Sequence, residues 1–449
     1  MANNIARLHI GLFGRRNTGK SSVINCLAGQ NISIVSDVAG TTTDPVKKVV
    51  EIPGLGPVVL IDTAGIDDGG ELGNQRVIKT YQAIKQVDLA IIVYCNNQFD
   101  EYEKQLVEKL QQFQIPFILL HNKSDKHPAN ISFAKGLMDC YKIDFLDFSA
   151  KTGKNFDVLV PLLQKNVPDS YYRQQPLFGD LLKAGDLVLL ITPVDTEAPA
   201  GRLILPQVQA IREALDFNCS AVVMKETEVG DFMRRTSIIP ALVISDSQLF
   251  GKIDKLIAPE IPLTSFSIML ARQKLGSPLP LSAFHPPPKG ERLDKTLIQM
   301  DTSPNDVCRN IQDRCNETLN QIHKNYFDIF LKSTPHIDKL KDVDRILIME
   351  SCTHHSTCDD IGRVKIPRWL QEYTGSKLAF DVVPGLADPP RPINKYAMAF
   401  QCGGCMITRK QLFNRIKIAI DAHIPITNYG MAIAYMKGSW KRSVELFFV

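Results

Sequence analysis

The sequence predicts an α/β protein made of three successive units, and three observations predict it. Short apolar runs alternate with amphipathic helical stretches along the chain. A glycine-rich signature, "GRRNTGKS" (14–21), stands between the first apolar run and the first helical one. Four of the ten cysteines crowd into residues 352–405.

Composition bounds the class. A chain of 449 residues exceeds one ordinary hydrophobic core, so roughly two to four domains are expected. Apolar residues at 44% and charged residues at 22% are ordinary for a folded protein. The net charge of +4 comes without a long basic run, which argues against a nucleic-acid partner. No apolar stretch reaches the roughly 18 residues of a membrane span, and the N-terminus lacks a signal peptide's apolar core. A cytoplasmic location is expected, with thiols free or ligating rather than paired in disulfides.

Residues 1–168 read as the first unit. "RLHIGLF", "VVLIDTAG", "LAIIVYC" and "FILLHNKSD" are buried strands, with helices such as "YEKQLVEKLQQF" between them, the pattern of a mostly parallel sheet. Residues 169–176 are a linker. Residues 177–265 repeat the grammar in small: "DLVLLITP", "SAVVMKE" and "ALVISDS" are strands and "LPQVQAIREALDF" a helix. So small a βαβ unit leaves apolar helix surface to cover, either in a homodimer, which is expected, or as a monomeric satellite packed on its neighbours. Residues 266–449 form the third unit, opening with a Pro-rich connection (276–293). "DRILIME", "KLAFDVV" and "YAMAF" are its strands and "RKQLFNRIKIAIDA" a helix.

Residues 14–21 fit G-x-x-x-x-G-K-[S/T] between a strand and a helix, the setting this signature requires. Gly14 and Gly19 allow a tight loop whose N–H groups face phosphates. Lys20 offers charge to the β- and γ-phosphates, the Ser21 hydroxyl reaches Mg²⁺, and Ser22 joins the same binding set. "GTTTD" (40–44) brings further hydroxyls, with Thr42 the preferred Mg²⁺ ligand. "DTAG" (62–65) ends a strand, so that Asp62 holds Mg²⁺ through water and the Gly65 N–H senses the γ-phosphate. In "NKSD" (122–125) the Asp125 carboxylate accepts from guanine's N1–H and exocyclic amine, while Asn122 and Lys123 support the ring and the loop. Ser149 and Ala150 of "SAK" add an N–H for the guanine oxygen.

Together these motifs resemble the small G-domain GTPases, and they imply GTP or GDP with Mg²⁺. Ile66 stands where Ras-like proteins place a water-orienting glutamine, so slow intrinsic hydrolysis is expected. Asn17 resembles the residue that binds a monovalent cation in some GTPases, and K⁺ stimulation is expected. The catalytic set is then Lys20, Asn17, Thr42 and Gly65.

"SCTHHSTCDD" (351–360) and "QCGGC" (401–405) each follow a strand, where open α/β sheets place ligands. If those strands are parallel neighbours, Cys352, Cys402 and Cys405 converge. Structural zinc (with His354 or Cys358 as fourth ligand), a dithiol pair and an iron–sulfur cluster are all compatible with the spacing. His355 reads as a polar loop residue. Cys26, Cys95, Cys140 and Cys219 read as buried small hydrophobes, as do Cys308 and Cys315 on a helix face.

The order of G domain, small βαβ unit and "CTH…CGGC" resembles the [FeFe]-hydrogenase maturation GTPases, the HydF family. "GDLVLLITPVDTEAPAGRLILPQVQAIREALD" looks like that family's dimerisation domain. The resemblance implies a [4Fe–4S] cluster on Cys352, Cys402 and Cys405 in the C-terminal unit. It also implies a diiron precursor as cargo, apo-[FeFe]-hydrogenase as recipient and two radical-SAM maturases as partners. Gln401 departs from the family's histidine, leaving His354, Cys358, Asp359 or an exogenous group as fourth ligand. The rival readings are an RNA-associated GTPase of ribosome assembly or tRNA modification, and a zinc-stabilised regulatory GTPase. No GxxG loop of a KH domain follows residue 170.

Overall fold

The computed structural model describes residues 7–29, 34–38, 45–68, 70–168, 171, 175–193, 203–276, 326–351 and 360–447. Thr42, Cys308, Cys315, Cys352, His354, His355, Cys358 and Asp359 lie outside them, as does most of the Pro-rich connection.

Among the described residues the strands form three sheets. The first contains β1 (Leu8–Phe13), β2 (Ile34–Val38), β3 (Val46–Ile52), β4 (Gly56–Asp62), β5 (Leu89–Tyr94), β6 (Phe117–His121) and β7 (Phe145–Asp147). Their order is β2-β3-β4-β1-β5-β6-β7. β4, β1, β5, β6 and β7 run parallel, and β2 and β3 form an antiparallel edge. Helices α1 (Lys20–Gly29), α2 (Gly70–Ile84), α3 (Glu101–Gln112), α4 (Ile131–Tyr141) and α5 (Phe156–Asn166) connect them. β5 is buried along its whole length, as a central parallel strand covered on both faces must be.

The second sheet is all parallel, in the order β11-β10-β8-β9. Its strands are β8 (Leu187–Ile191), β9 (Ser220–Met224), β10 (Leu242–Ser245) and β11 (Leu263–Ser265). Helices α6 (Leu205–Asp216), α7 (Val229–Thr236), α8 (Phe250–Ile253) and α9 (Phe266–Leu275) accompany it. Leu215 and Val208 on α6 and Val223 on edge strand β9 are exposed. This is the uncovered apolar surface that the unit's small size predicts.

The third sheet, also all parallel, runs β13-β12-β14-β15. It contains β12 (Arg345–Met349), β13 (Ala379–Val383), β14 (Met398–Gln401) and β15 (Ile426–Asn428). With it are α10 (Tyr326–Ser333), α11 (Ile366–Thr374), α12 (Arg409–Asp421), α13 (Tyr429–Met436) and α14 (Trp440–Glu445). The second and third units share one core: Leu189, Val243 and Ile268 belong to the same buried cluster as Ile348, Phe400 and Ile433. The first unit meets the third at α12. Among the described residues no helix is long and apolar enough to cross a membrane.

Candidate functional site

Two places gather the chemistry. The first lies at the carboxyl ends of β1, β4 and β6, where the glycine-rich loop leads into α1. Gly14 has φ +144°, and a Cβ there would lie 2.1 Å from the Val93 carbonyl oxygen, so a larger residue would displace the loop. The Lys20 amine donates to the carbonyls of Gly14 (2.9 Å) and Arg15 (2.8 Å). The Ser21 hydroxyl donates to the Asp62 carboxylate. Lys20, Ser21 and Asp62 line a cleft of about 500 Å³ together with Asn17, Gly19, Ser22 and Gly65.

Electrostatics mark this cleft as a place for paired ions. Burial lowers the pKa of Lys20, opposed by Asp62, Asp67 and Asp68. Burial raises that of Asp62, opposed by the Ser21 hydroxyl and by Lys20. A phosphate beside Lys20 and a divalent cation beside Asp62 would each favour the charged form of its neighbour. Ile66 is buried and its N–H donates to Gly14 O at 3.3 Å, so this apolar side chain offers no polar group for orienting water.

The base-recognition residues converge as well. The Asn122 side chain donates to Thr18 O (2.9 Å) and accepts the Ala150 N–H (3.0 Å), tying the glycine-rich loop to the "SAK" segment. The Lys123 amine donates to Asn17 O. The Ser149 hydroxyl donates to Asp125 Oδ1 at 2.7 Å, and that bond is the main reason the carboxyl is held below its ordinary pKa. The structure adds Arg15, which the motifs do not single out. Its guanidinium pairs with Glu103 at 2.8 Å, anchoring the loop to α3. Nothing local signals a partner so distant in the chain.

The second place is the end of the third sheet. β12 and β14 are parallel neighbours, with Met349 beside Gln401 in the register. The Ser351 N–H donates to Cys402 Sγ at 3.0 Å, and the Cys402 N–H to Met349 O at 3.0 Å. Ser351, which precedes Cys352 in sequence, thus stands beside the Cys402 sulfur. Gln401 is fully buried, and its amide donates to Ser351 Oγ (2.9 Å) and Cys402 O (3.1 Å). Among the described residues no group of three or more His, Cys, Asp or Glu is arranged to hold a metal ion.

Cys402 and Cys405 line a cavity of about 530 Å³ between the second and third units. Its wall takes in Asp246, Ser247 and Ser267, just past β10 and β11, and Glu350, Pro384 and Tyr429, just past β12, β13 and β15. The carboxyl ends of two parallel sheets thus open on one space, the position at which such sheets bind ligands. Cys219 is buried and Cys26 and Cys95 are half-buried, but Cys140 is exposed, contrary to expectation. Its helix, α4, lies on the surface and fully buries Ala134 alone.

Comparison with known proteins follows this division. A profile described as 50S ribosome-binding GTPase matches residues 9–123. The hydrogen maturase F dimerization domain matches residues 177–275, and the hydrogen maturase F tetramerization domain matches 328–446. The chain belongs to the hydrogen maturase F family. Its second and third units are that family's oligomerisation modules, and its first is a GTPase domain.

Curated relatives match over shorter stretches. The chain is 38% identical over 120 residues to the tRNA modification GTPase MnmE of Nitrosomonas europaea, covering 26% of each. It is 31% identical over 180 residues to GTPase Der of Wolinella succinogenes, covering 38% of each. It thus spans well under half the length of these relatives. A solved structure of Aquifex aeolicus Era bound to GDP and aluminium fluoride aligns at 19% identity with a TM-score of 0.31. That alignment covers 48% of this chain and 91% of Era.

Proposed function

We propose that this chain is a GTP-hydrolysing scaffold and carrier for hydrogenase maturation. In this reading Gly14, Gly19, Lys20, Ser21 and Ser22 hold the phosphates and Mg²⁺, helped by Asp62 and Thr42. Asn122, Lys123, Asp125, Ser149 and Ala150 select guanine, and Gly65 reads the γ-phosphate. Asn17 holds K⁺, which offsets transition-state charge where Ile66 offers no help.

Cys352, Cys402 and Cys405 hold a [4Fe–4S] cluster, with His354 as the candidate fourth ligand. The single observation that carries this part is the Ser351 N–H on Cys402 Sγ, which puts the residue preceding Cys352 beside the C-x-x-C loop. The donor set fits a cluster: an N–H already faces one sulfur, and hydrogen bonds of that kind stabilise thiolates and tune iron–sulfur centres. When bound, the cluster offers iron at which cargo can attach. The cargo is a diiron precursor, supplied by two radical-SAM maturases and delivered to apo-[FeFe]-hydrogenase by a homodimer of this chain or a larger assembly. The G domain acts as a switch whose loops respond to the γ-phosphate.

Anaerobic purification with metal and sulfide analysis, followed by EPR after reduction, tests this reading. Iron and sulfide are expected in the wild type and lost in Cys352→Ala. Zinc without iron would reject it in favour of a zinc-stabilised regulatory GTPase. The similarity to a tRNA modification GTPase keeps an RNA-associated role as the second reading, and specific retention of RNA by a cluster-free protein would favour it.

A further inference from the structure

Helix α9 belongs to the segment matched by the dimerization domain, yet one face of it supports the C-x-x-C loop of the third unit. Ser267 and Leu270 lie under Gly403: a Cβ there would stand 3.4 Å from Ser267 Oγ and 3.5 Å from a Leu270 methyl. One turn further, the Lys274 amine donates to Gly404 O and, at 2.7 Å, to Ile407 O. Positions 267, 270 and 274 share a helix face, so a single surface of α9 backs the whole loop. Gly404, at φ +67°, turns the chain so that its carbonyl and that of Ile407 converge on one ammonium. Cys405 lies between those two carbonyls in sequence and packs against the buried cluster to which Leu270 and Phe266 belong.

We infer that Lys274 is a positioning residue for the cluster, fixing the loop that presents Cys405 and placing a positive charge beside it. The inference rests on the cluster reading above. Two carbonyls pointing at one place need a cation or several donors, and an ammonium satisfies both at once. The same charge favours the reduced, more negative cluster, so removing it lowers the reduction potential. A residue that merely filled space would leave that potential alone.

The experiment compares the full chain with Lys274→Met and Lys274→Arg, each purified anaerobically. Three readouts are hydrogen exchange of the amides of residues 403–408, iron loss to bipyridyl, and an EPR-monitored redox titration. Lys274→Met is expected to exchange faster over 403–408, to lose iron roughly tenfold faster and to titrate at lower potential, with Lys274→Arg close to wild type. GTP hydrolysis should be unchanged in both, since Lys274 lies outside the nucleotide cleft. Wild-type exchange, iron loss and potential in Lys274→Met would overturn the inference. If Lys274→Met does not fold, Lys274→Gln keeps a donor without the charge, and an unaltered potential in it likewise overturns the inference. A wild type holding zinc and no iron would sink the cluster reading instead. The exchange of residues 403–408 then decides alone whether Lys274 clamps the loop.

Discussion

The Thr408 hydroxyl donates to the Asp88 carboxylate at 2.8 Å, joining the end of the G domain's α2–β5 connection to the N-cap of α12. Thr408 also caps its own helix by accepting the Gln411 N–H at 3.1 Å. Gln411 in turn donates to Gln86 O at 2.6 Å, and Asn414 to Lys85 O at 3.2 Å. Carbonyls just past the C-terminal end of α2 thus meet side chains of the first turns of α12, an arrangement that complements both helix dipoles. α2 begins a few residues beyond the "DTAG" loop, and α12 begins shortly after Cys405. This contact joins the end of the helix that follows the nucleotide cleft to the start of the helix that follows the cysteine loop.

Replacing Thr408 should therefore cost more than an ordinary cap. Thr408→Ala removes the cap and a buried bond to a carboxylate, and a loss of about 2–4 kcal/mol is expected. Thr408→Ser keeps both groups and should lose less than about 1 kcal/mol. Urea unfolding with an unchanged slope checks this; equal stability of both variants would contradict it.

Guanine recognition should depend on pH through Asp125 and Ser149. The Ser149 hydroxyl favours the ionised carboxyl, so the folded pKa lies below the ordinary 3.8. Binding that requires the carboxylate persists down to that depressed value and is lost as pH falls through it. In Ser149→Ala the GDP affinity should begin to fall at a higher pH than in wild type. Asp125→Asn should weaken GDP at every pH where the wild-type carboxylate is ionised, and should flatten this pH dependence. Fluorescence titration with a labelled GDP measures both.

How much of this was legible depended on whether the chemistry was local. Gly14, Lys20, Asp62 and Asp125 declare themselves because phosphate and guanine demand particular residues at particular places on one edge of a sheet. The pairing of β12 with β14 was legible only as a condition, since strand pattern gives identity but not neighbourhood. β11 and β15 have three residues each, too few for any periodicity to show. The role of α9 was hidden for another reason. Lys274 reads as an ordinary surface cation until folding brings it to carbonyls more than a hundred residues away.

Hydrolysis should be faster in K⁺ than in Na⁺ at equal ionic strength. Asn17 sits in the cleft at φ +58°, its carbonyl tied to Lys123, so its side chain is presented by a fixed loop. Asn17→Ala should abolish the difference between the two salts while leaving nucleotide affinity within a few-fold. Equal wild-type rates in K⁺ and Na⁺ would remove the cation from the mechanism.

Gln401 is the last test, because the sequence marks it as a departure from the family histidine and the structure gives it inward-facing work. Its amide bonds Ser351 and the Cys402 carbonyl, and its nitrogen stands 3.5 Å from Cys402 Sγ. It thus ties Ser351, just past β12, to the end of β14. Gln401→Leu fills similar space but leaves buried polar groups on both strands without that donor, and should cost about 1–3 kcal/mol. Gln401→Glu replaces the donor with a buried acceptor facing a sulfur and should be worse than Gln401→Leu, because a carboxylate there repels a thiolate. Thermal unfolding of the metal-free chain orders the variants, and iron content after reconstitution follows the same order if Gln401 acts by holding β12 against β14. Full stability with lost iron in Gln401→Leu would instead make Gln401 a direct partner of the cluster.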